Sequence, residues 1–410
     1  MLSPTSLAPA EAERRRRRSI GFLNWAHLLD HYVILIFPTV VIGLEVVYGR
    51  SYGDLIMLST AAFTAFGMLA LPCGWLADHW SRRNMIAIYF LGTGVAAAAV
   101  GFAPNFTVLA IALLAVGVFA AIYHPVGTPM VIDAAVRRGR ALAWNGMWGN
   151  VGVSVASGIT AAIASILGWR WAFFVPAALF IVSGFAYLLL VPDEGRRQVA
   201  RASAQDVALD LRLTIAVIAL FMLLAVSSGL VFNGLTIALP KIVDARIGHD
   251  VPLWLVGGLA TAVFLFGAAA QLSMGRLVEY IAPHFLVALI ATLQFVAMMW
   301  VAQASGWLLL LALALAIAAI YGQVTVNDVV LARYTPPAWR GRVYALRFFI
   351  IFTSAGPAVW AIGWLYDRGG FDLVLWIIAM VAAVFALNSL AISALTAGAE
   401  SRRARALPAE

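Results

Sequence analysis

Three ionisable side chains lie close together in one apolar stretch of the chain. The stretch Asn24–Val41 is apolar enough to cross a bilayer, yet it contains His27, Asp30 and His31. On a helix, positions 27 and 31 lie one turn apart on the same face, and position 30 lies beside them. A charged side chain in the hydrocarbon core costs at least about 2.5–3.5 kcal/mol, so we expect the cluster to face a protein interior or a water-filled path. An aspartate beside two histidines could exchange protons there, because burial and neighbouring charges tune the pKa of each group.

The elements that must position these residues are membrane-spanning helices. The 410-residue chain is 63% hydrophobic and 11% charged, with a mean hydropathy of +0.94, whereas soluble domains are about half apolar and a quarter charged. Apolar runs long enough to cross a bilayer predict an all-α membrane protein with twelve transmembrane helices. These are helices 1 to 12, at about 20–44, 53–75, 84–102, 106–134, 141–166, 170–191, 214–242, 252–274, 283–303, 306–334, 342–366 and 372–397.

The distribution of basic residues predicts the orientation of these helices. Of the 27 Lys and Arg residues, 22 lie on the side of the chain ends and the central polar loop. Basic residues accumulate in cytoplasmic loops, so both termini are expected in the cytoplasm, and the net charge of +8 needs no nucleic-acid partner. The predicted parts are a cytoplasmic tail (1–19), a six-helix bundle (20–191), a cytoplasmic linker (192–213), a second six-helix bundle (214–397) and a cytoplasmic tail (398–410).

The two bundles repeat each other in sequence. Four features of the first half return in the second at offsets of about 200 residues: Gly74–Asp78 at Gly275–Glu279, Ala120–Tyr123 at Ala318–Tyr321, Arg137–Ala143 at Trp339–Ala345, and Pro38 at Pro240. Four matches in register indicate an internal duplication. Six-helix halves repeated in parallel are typical of one large class of secondary transporters.

Polar residues from five helices are expected to meet near the centre of the membrane. Most lie about ten residues from an end of a helix, which at 1.5 Å per residue is close to mid-bilayer; His27 lies one turn from His31, and Asn233 holds the position in helix 7 that His31 has in helix 1. We predict them as substrate-binding and proton-coupling residues: His27, Asp30, His31, His124, Asn150, Asn233 and Gln323. The alternative for Asn150 and Asn233 is a hydrogen bond that only bridges helices.

The loop Gly74–Asn84 reads GWLADHWSRRN and resembles the signature between helices 2 and 3 of the major facilitator superfamily. The resemblance covers the whole chain through its twelve spans, its duplication and the RGR that follows helices 4 and 10. Three pieces, HLLDHY, IYHP and GNVG, resemble the fosmidomycin-resistance branch of drug exporters. The resemblance implies a fold of two pseudo-symmetric bundles and a gate at the inner face, formed by Gly74, Asp78, Arg82, Arg83 and Asp133.

The expected function is secondary active transport by alternating access. The chain shows no ATP-binding loop and no nucleophile–base set of an enzyme, so a proton gradient is the natural energy source. We expect a monomer in the inner membrane of a bacterium that moves a small organic solute, with efflux favoured over uptake and no cofactor.

A transition-metal transporter is the alternative, because His27, Asp30, His31 and His124 offer the nitrogen and oxygen ligands that such ions accept. We nevertheless expect no metal at these residues. A receptor or a membrane enzyme is a remote alternative, because the predicted loops are too short for a soluble domain.

Overall fold

The computed structural model describes residues 9–193, 211–247 and 251–406, and within them the side chains of all but residues 9, 12, 138, 337, 338, 340 and 399–406. The described chain forms helices joined by short turns. The first six are Pro9–Ile34 with Ile36–Tyr48 (helix 1), Tyr52–Ile56 through Met57–Ser59 and Thr60–Met68 to Ala70–His79 (helix 2), Arg82–Phe102 (helix 3), Phe106–Ala120 with Tyr123–Ala134 (helix 4), Arg138–Leu167 (helix 5) and Trp171–Leu190 (helix 6).

The second half has the same organisation. Its elements are Leu211–Ile247 (helix 7), Leu253–Tyr280 (helix 8), Pro283–Gln303 (helix 9), Gly306–Tyr334 (helix 10), and Pro337–Thr353 with Ala355–Ala406 (helices 11 and 12). The last element contains the non-helical Gly369 and Gly370, where helix 11 ends and helix 12 begins. Ten helices of the described chain are long and apolar enough to cross a membrane. Bent helix 2 and the division at Gly369 bring the number to twelve, which confirms the predicted fold class.

Proline explains why four of these helices are broken. A proline cannot donate to the carbonyl four residues earlier, and its ring collides with that carbonyl. Each break lies three residues before a proline: Leu35 before Pro38, Leu69 before Pro72, Ile122 before Pro125, and Ser354 before Pro357. At Leu69 the two parts of helix 2 are bent by 42°. The broken helices are 1, 2, 4 and 11, which include the helix of the sequence-predicted cluster.

The two halves contact each other most extensively along helix 5 with helix 8 and helix 2 with helix 11, and helix 1 also contacts helices 7 and 8. Glycines allow close approach at these contacts, which we call the seam. A β-carbon on Gly257 of helix 8 would overlap the Ser157 carbonyl of helix 5, and one on Gly67 of helix 2 would overlap the backbone of Thr353. The seam extends from mid-membrane to the face opposite the described chain ends, which we call the far face. The face with those ends is the near face.

Part of the predicted N-terminal tail is helical, because helix 1 begins at Pro9. Ion pairs one turn apart join Glu11 to Arg15 and Glu13 to Arg17, each at 2.6 Å, and such pairs stabilise exposed helices. At the other end of the chain the last helix continues to Ala406. Most of the predicted linker 192–213 lies outside the described residues.

Candidate substrate and proton site

Helices 1 and 4 bring three histidines and one aspartate together. His31 Nε2 lies 3.2 Å from His27 Nε2, and the His124 ring lies 5.1 Å from the His27 ring and 5.2 Å from the His31 ring. The spacing of 27 and 31 stacks their rings on one face of helix 1. Helix 4 supplies His124 directly after its break at Ile122. We call His27, Asp30, His31 and His124 the imidazole cluster.

A polar network fixes the orientation of His27. Its Nδ1 lies 2.8 Å from the backbone carbonyl of Asn145 on helix 5. A carbonyl only accepts, so Nδ1 carries the proton and donates, and Nε2 is left to face His31. The Tyr123 ring stacks on the His27 ring at 4.9 Å, and the Asn145 amide donates to Asn24 Oδ1 at 3.0 Å. Sequence reasoning missed Asn145, because only the helix 1–helix 5 contact gives it a role.

Asp30 is the buried carboxylate of the cluster. Its side chain is 0% exposed, and neither oxygen has a hydrogen-bond partner among the described residues. His124 Nε2 lies 3.5 Å from Asp30 Oδ2. An ionised carboxylate buried without a donor would be an uncompensated charge. A proton on Asp30 or on the His124 imidazole relieves that situation, so the geometry suits a group that exchanges a proton with its surroundings.

The three imidazoles are also close enough to hold a metal ion. One ring nitrogen from each of His27, His31 and His124 lies within 4.8 Å of the others. Two nitrogens bound tetrahedrally to one ion at 2.0–2.1 Å would be about 3.4 Å apart. The His27 bond to a backbone carbonyl is the kind of contact that orients metal-binding imidazoles. Protons and a metal ion are therefore the two kinds of ligand that this arrangement of nitrogens suits.

The cluster contacts the second half of the protein through an aromatic ring. The ring of Phe352 on helix 11 lies 4.6 Å from the ring of His124. Phe66 of helix 2 lies 6.0 Å from His124 and 5.6 Å from Phe352. Phe352 precedes the break of helix 11 at Ser354. Movement between the halves would thus change the surroundings of His124.

The remaining predicted substrate residues are Asn150, Asn233 and Gln323, which are not part of the imidazole cluster. Asn150 Nδ2 donates to Gln271 Oε1 of helix 8 at 2.8 Å, across the seam. Asn233 Nδ2 donates to the Ile351 carbonyl and to Ser354 Oγ, each at 3.1 Å. These bonds match the bridging alternative for both asparagines. Gln323 is buried in helix 10, and its Oε1 has no partner among the described residues.

The second half lacks a counterpart of the cluster. At the repeat offset of 202, Asp30 and His31 correspond to Phe232 and Asn233. Phe232 stacks on Tyr321 at 5.7 Å. At these paired positions only the first half carries ionisable side chains, and the equivalent place in the second half holds the stacked rings of Phe232 and Tyr321.

The residues predicted to form the inner gate lie at the near face. Arg82 binds two carboxylates: its Nη1 is 2.9 Å from Asp133 Oδ2, and its Nη2 is 2.7 Å from Asp78 Oδ1. Gly74 lets helix 2 approach helix 4, because a β-carbon there would lie 3.3 Å from Pro125 Cβ. The resemblance implied the Arg82–Asp133 contact, and the gating role itself stays a prediction.

Arg83 binds backbone carbonyls, whereas the adjacent Arg82 binds carboxylates. Its guanidinium donates to the Leu188 carbonyl at 2.5 Å and to the Val191 carbonyl at 2.9 Å, at the end of helix 6. Arg83 therefore satisfies the last carbonyls of that helix, a role typical of cations at helix C-termini.

One arginine counted with the cytoplasmic residues is buried instead. Arg347 is 2% exposed and forms an ion pair with Asp328 of helix 10. It lies ten residues after the start of helix 11 at Pro337, about 15 Å along the helix axis. The sequence analysis counted Arg347 with the cytoplasmic residues because it lies near the start of the predicted helix at 342. In the structure this helix begins earlier, at Pro337.

Comparison with known proteins places this chain among transporters. The model of the family described as Major Facilitator Superfamily matches residues 21–327. The puromycin resistance protein pur8 of Streptomyces alboniger is 33% identical over 150 residues, which cover 36% of this chain and 29% of that protein. The probable L-galactonate transporter of Escherichia coli K12 is 27% identical over 144 residues, 35% of this chain and 32% of that protein. The matched regions thus span about a third of these relatives.

The fold also matches a solved structure over nearly its whole length. That structure is a bacterial homologue of the human lysosomal transporter Spinster, in an inward-facing and unoccupied conformation. The TM-score is 0.72 at 16% identity, and the match covers 96% of each chain.

Proposed function

Because this chain belongs to the Major Facilitator Superfamily, we propose that it is a proton-coupled secondary transporter that exports a small organic solute by alternating access. Family membership makes the chain a multi-pass membrane transporter of a solute rather than an enzyme. The observation that carries the proton assignment is Asp30, a fully buried carboxylate whose oxygens have no hydrogen-bond partner among the described residues and whose Oδ2 lies 3.5 Å from His124 Nε2.

The contact between the cluster and helix 11 supports a coupling route. A proton that enters the cluster neutralises Asp30, which lies 3.5 Å from His124, and the His124 ring packs on Phe352 of the second half. Such a change favours one arrangement of the halves over the other, because each arrangement solvates the charge differently. Asp30 is the proton carrier in this scheme, and His27, His31 and His124 tune it. We keep Asn150, Asn233 and Gln323 as proposed residues of the substrate path, although both asparagines are bonded to other helices in this structure.

The remaining assignments are proposals, and the distribution of basic residues supports the orientation among them. The near face is cytoplasmic, the protein is a monomer, and the membrane is the inner membrane of a bacterium. Export agrees with the name of the puromycin resistance relative and with the HLLDHY, IYHP and GNVG pieces of the fosmidomycin-resistance branch. At the near face, Gly74, Asp78, Arg82, Arg83 and Asp133 form the gate.

The experiment that tests this proposal is the Asp30→Asn variant in proteoliposomes. The amide keeps the shape of the side chain and cannot titrate, so transport driven by a pH gradient is expected to be lost while solute exchange is retained. Asp54→Asn at the exposed end of helix 2 serves as the matched control. Accumulation of solute against its gradient by Asp30→Asn, with an unchanged pH dependence, would place the coupling group elsewhere.

A transition-metal ion is the second candidate substrate, favoured by the three imidazole nitrogens within 4.8 Å. The two candidates differ in what the purified protein binds. Titration with zinc, nickel or manganese is expected to show no stoichiometric binding that depends on His31. Stoichiometric binding that is lost in His31→Ala and kept in His79→Ala, an exposed histidine of helix 2, would replace the organic solute by a metal ion.

A further inference from the structure

A lysine at the far face is bound by one carboxylate from each half of the protein. Lys241 of helix 7 forms an ion pair with Glu45 Oε2 of helix 1. Its Nζ also lies 2.8 Å from Asp244 Oδ2, three residues further along helix 7. The first partner belongs to the other half, whereas the second moves with the lysine.

The surroundings of Lys241 are largely closed to water. Its side chain is only 10% exposed. The Nζ lies 5.9 Å from the ring centre of the buried Tyr52 of helix 2. The Tyr52 ring packs at 5.1 Å on Tyr366 of helix 11, in the other half. The lysine therefore sits where the two halves close together, and separation of the halves must break its pair with Glu45.

We propose that Lys241 is the charge that holds the far-face seam closed, through Glu45, and that Asp244 keeps it neutralised when the seam opens. This inference rests on alternating access in the proposed function. It is independent of the coupling ion, of the solute and of the direction of transport.

The arrangement predicts opposite effects for the two carboxylates. Removing one partner of a partly buried ion pair leaves the other charge uncompensated. Loss of the Glu45 charge removes an attraction that exists only in the closed state, so it favours opening. Loss of the Asp244 charge removes the partner that stays with Lys241 in the open state, so it favours closure. A merely structural role would instead shift both variants in one direction.

A cysteine reporter on the seam can measure the two states. Cys73 is the single cysteine of the chain, so Cys73→Ala gives a background without thiols. Val359 is fully buried on helix 11 and lies within one turn of Gly356 and Gly363, whose β-carbons would meet helix 2. In this background, Val359→Cys is labelled by a membrane-impermeant maleimide from the far face only when the seam opens.

Relative to the unmodified seam, we expect labelling about fivefold faster in Glu45→Gln and about fivefold slower in Asp244→Asn. Fivefold corresponds to about 1 kcal/mol between the closed and open states. Asp54→Asn, an exposed carboxylate of the same face that pairs within the first half, is expected to leave the rate unchanged. Unchanged labelling in Glu45→Gln, or a shift of both variants in the same direction, would overturn the proposal.

A wedge variant separates this result from a failure of alternating access. Gly257→Ala opens the seam sterically, because its β-carbon overlaps the Ser157 carbonyl. If that variant is labelled and Glu45→Gln is not, Lys241 does not hold the seam. If Val359→Cys is unlabelled even in Gly257→Ala, the seam does not open, and alternating access fails together with the gate.

Discussion

At the scale of single residues, the imidazole cluster depends on a glycine that leaves room for His27. A β-carbon on Gly149 would lie 2.7 Å from His27 Nε2. Gly149→Ala is therefore expected to displace the His27 ring from the Asn145 carbonyl and to shift the pH optimum of transport. The displaced atoms belong to a side chain rather than to the backbone, so we expect the variant to fold. Transport across a pH series and the Tm of the purified variant check both parts.

Gly146→Ala is the matched control for this change. It lies one turn earlier on helix 5, and nothing lies within 4 Å of its added β-carbon. Both variants gain the same helix propensity, about 1 kcal/mol, so the difference between them isolates the contact with His27. Identical pH profiles for the two variants would show that the position of His27 does not matter.

Sequence reasoning found the residues of the cluster whose spacing is local. His27, Asp30 and His31 follow from the period of one helix, and His124 follows from its depth in another. Asn145 and Phe352 could not be found this way, because an asparagine or a phenylalanine in an apolar helix has many ordinary roles. Their importance comes only from tertiary contacts. The same reason hides the pairing of Arg347 with Asp328.

At the scale of elements, the near-face loop Gly74–Asn84 leads to a prediction about the state in which the far face is open. Here Asp78 is largely exposed and pairs with Arg82. When the far face opens, we expect Asp78 to cap the start of helix 11, because a carboxylate is favourable at a helix N-terminus. Asp78→Asn is then expected to lower transport at least about tenfold, within the usual range of a coupling between two states. Uptake assays report the loss, and membrane insertion of the variant is expected to stay normal. Normal transport would remove Asp78 from the gate.

The helix boundaries were predictable where hydropathy and caps agree, and less so at breaks. Helix 3, for example, starts at Arg82 because Ser81 Oγ accepts from the Asn84 N–H. The unbroken helix 7 passes through Pro240, although its repeat partner Pro38 follows a break in helix 1. A proline alone therefore does not fix a break, and packing decides between a bend and a straight helix.

At the scale of the whole molecule, the glycine contacts of the seam set the balance between two arrangements of the halves. Gly257→Ala places a β-carbon against the Ser157 carbonyl, an overlap expected to cost the closed state about 1–3 kcal/mol. Transport is expected to fall while the protein remains inserted. The adjacent Gly258 has nothing within 4 Å of an added β-carbon, so Gly258→Ala is expected to transport normally. Equal activity of the two variants would mean that the seam can close with the additional methyl group at position 257.

The one-sided placement of the imidazole cluster also bears on the history of the gene. Identical halves at the time of the duplication would have carried this cluster either twice or not at all. In the present chain the positions that correspond to Asp30 and His31 hold Phe232 and Asn233. The two halves have therefore diverged at these positions since the duplication, so the present chain is symmetric in its backbone and asymmetric in its ionisable residues.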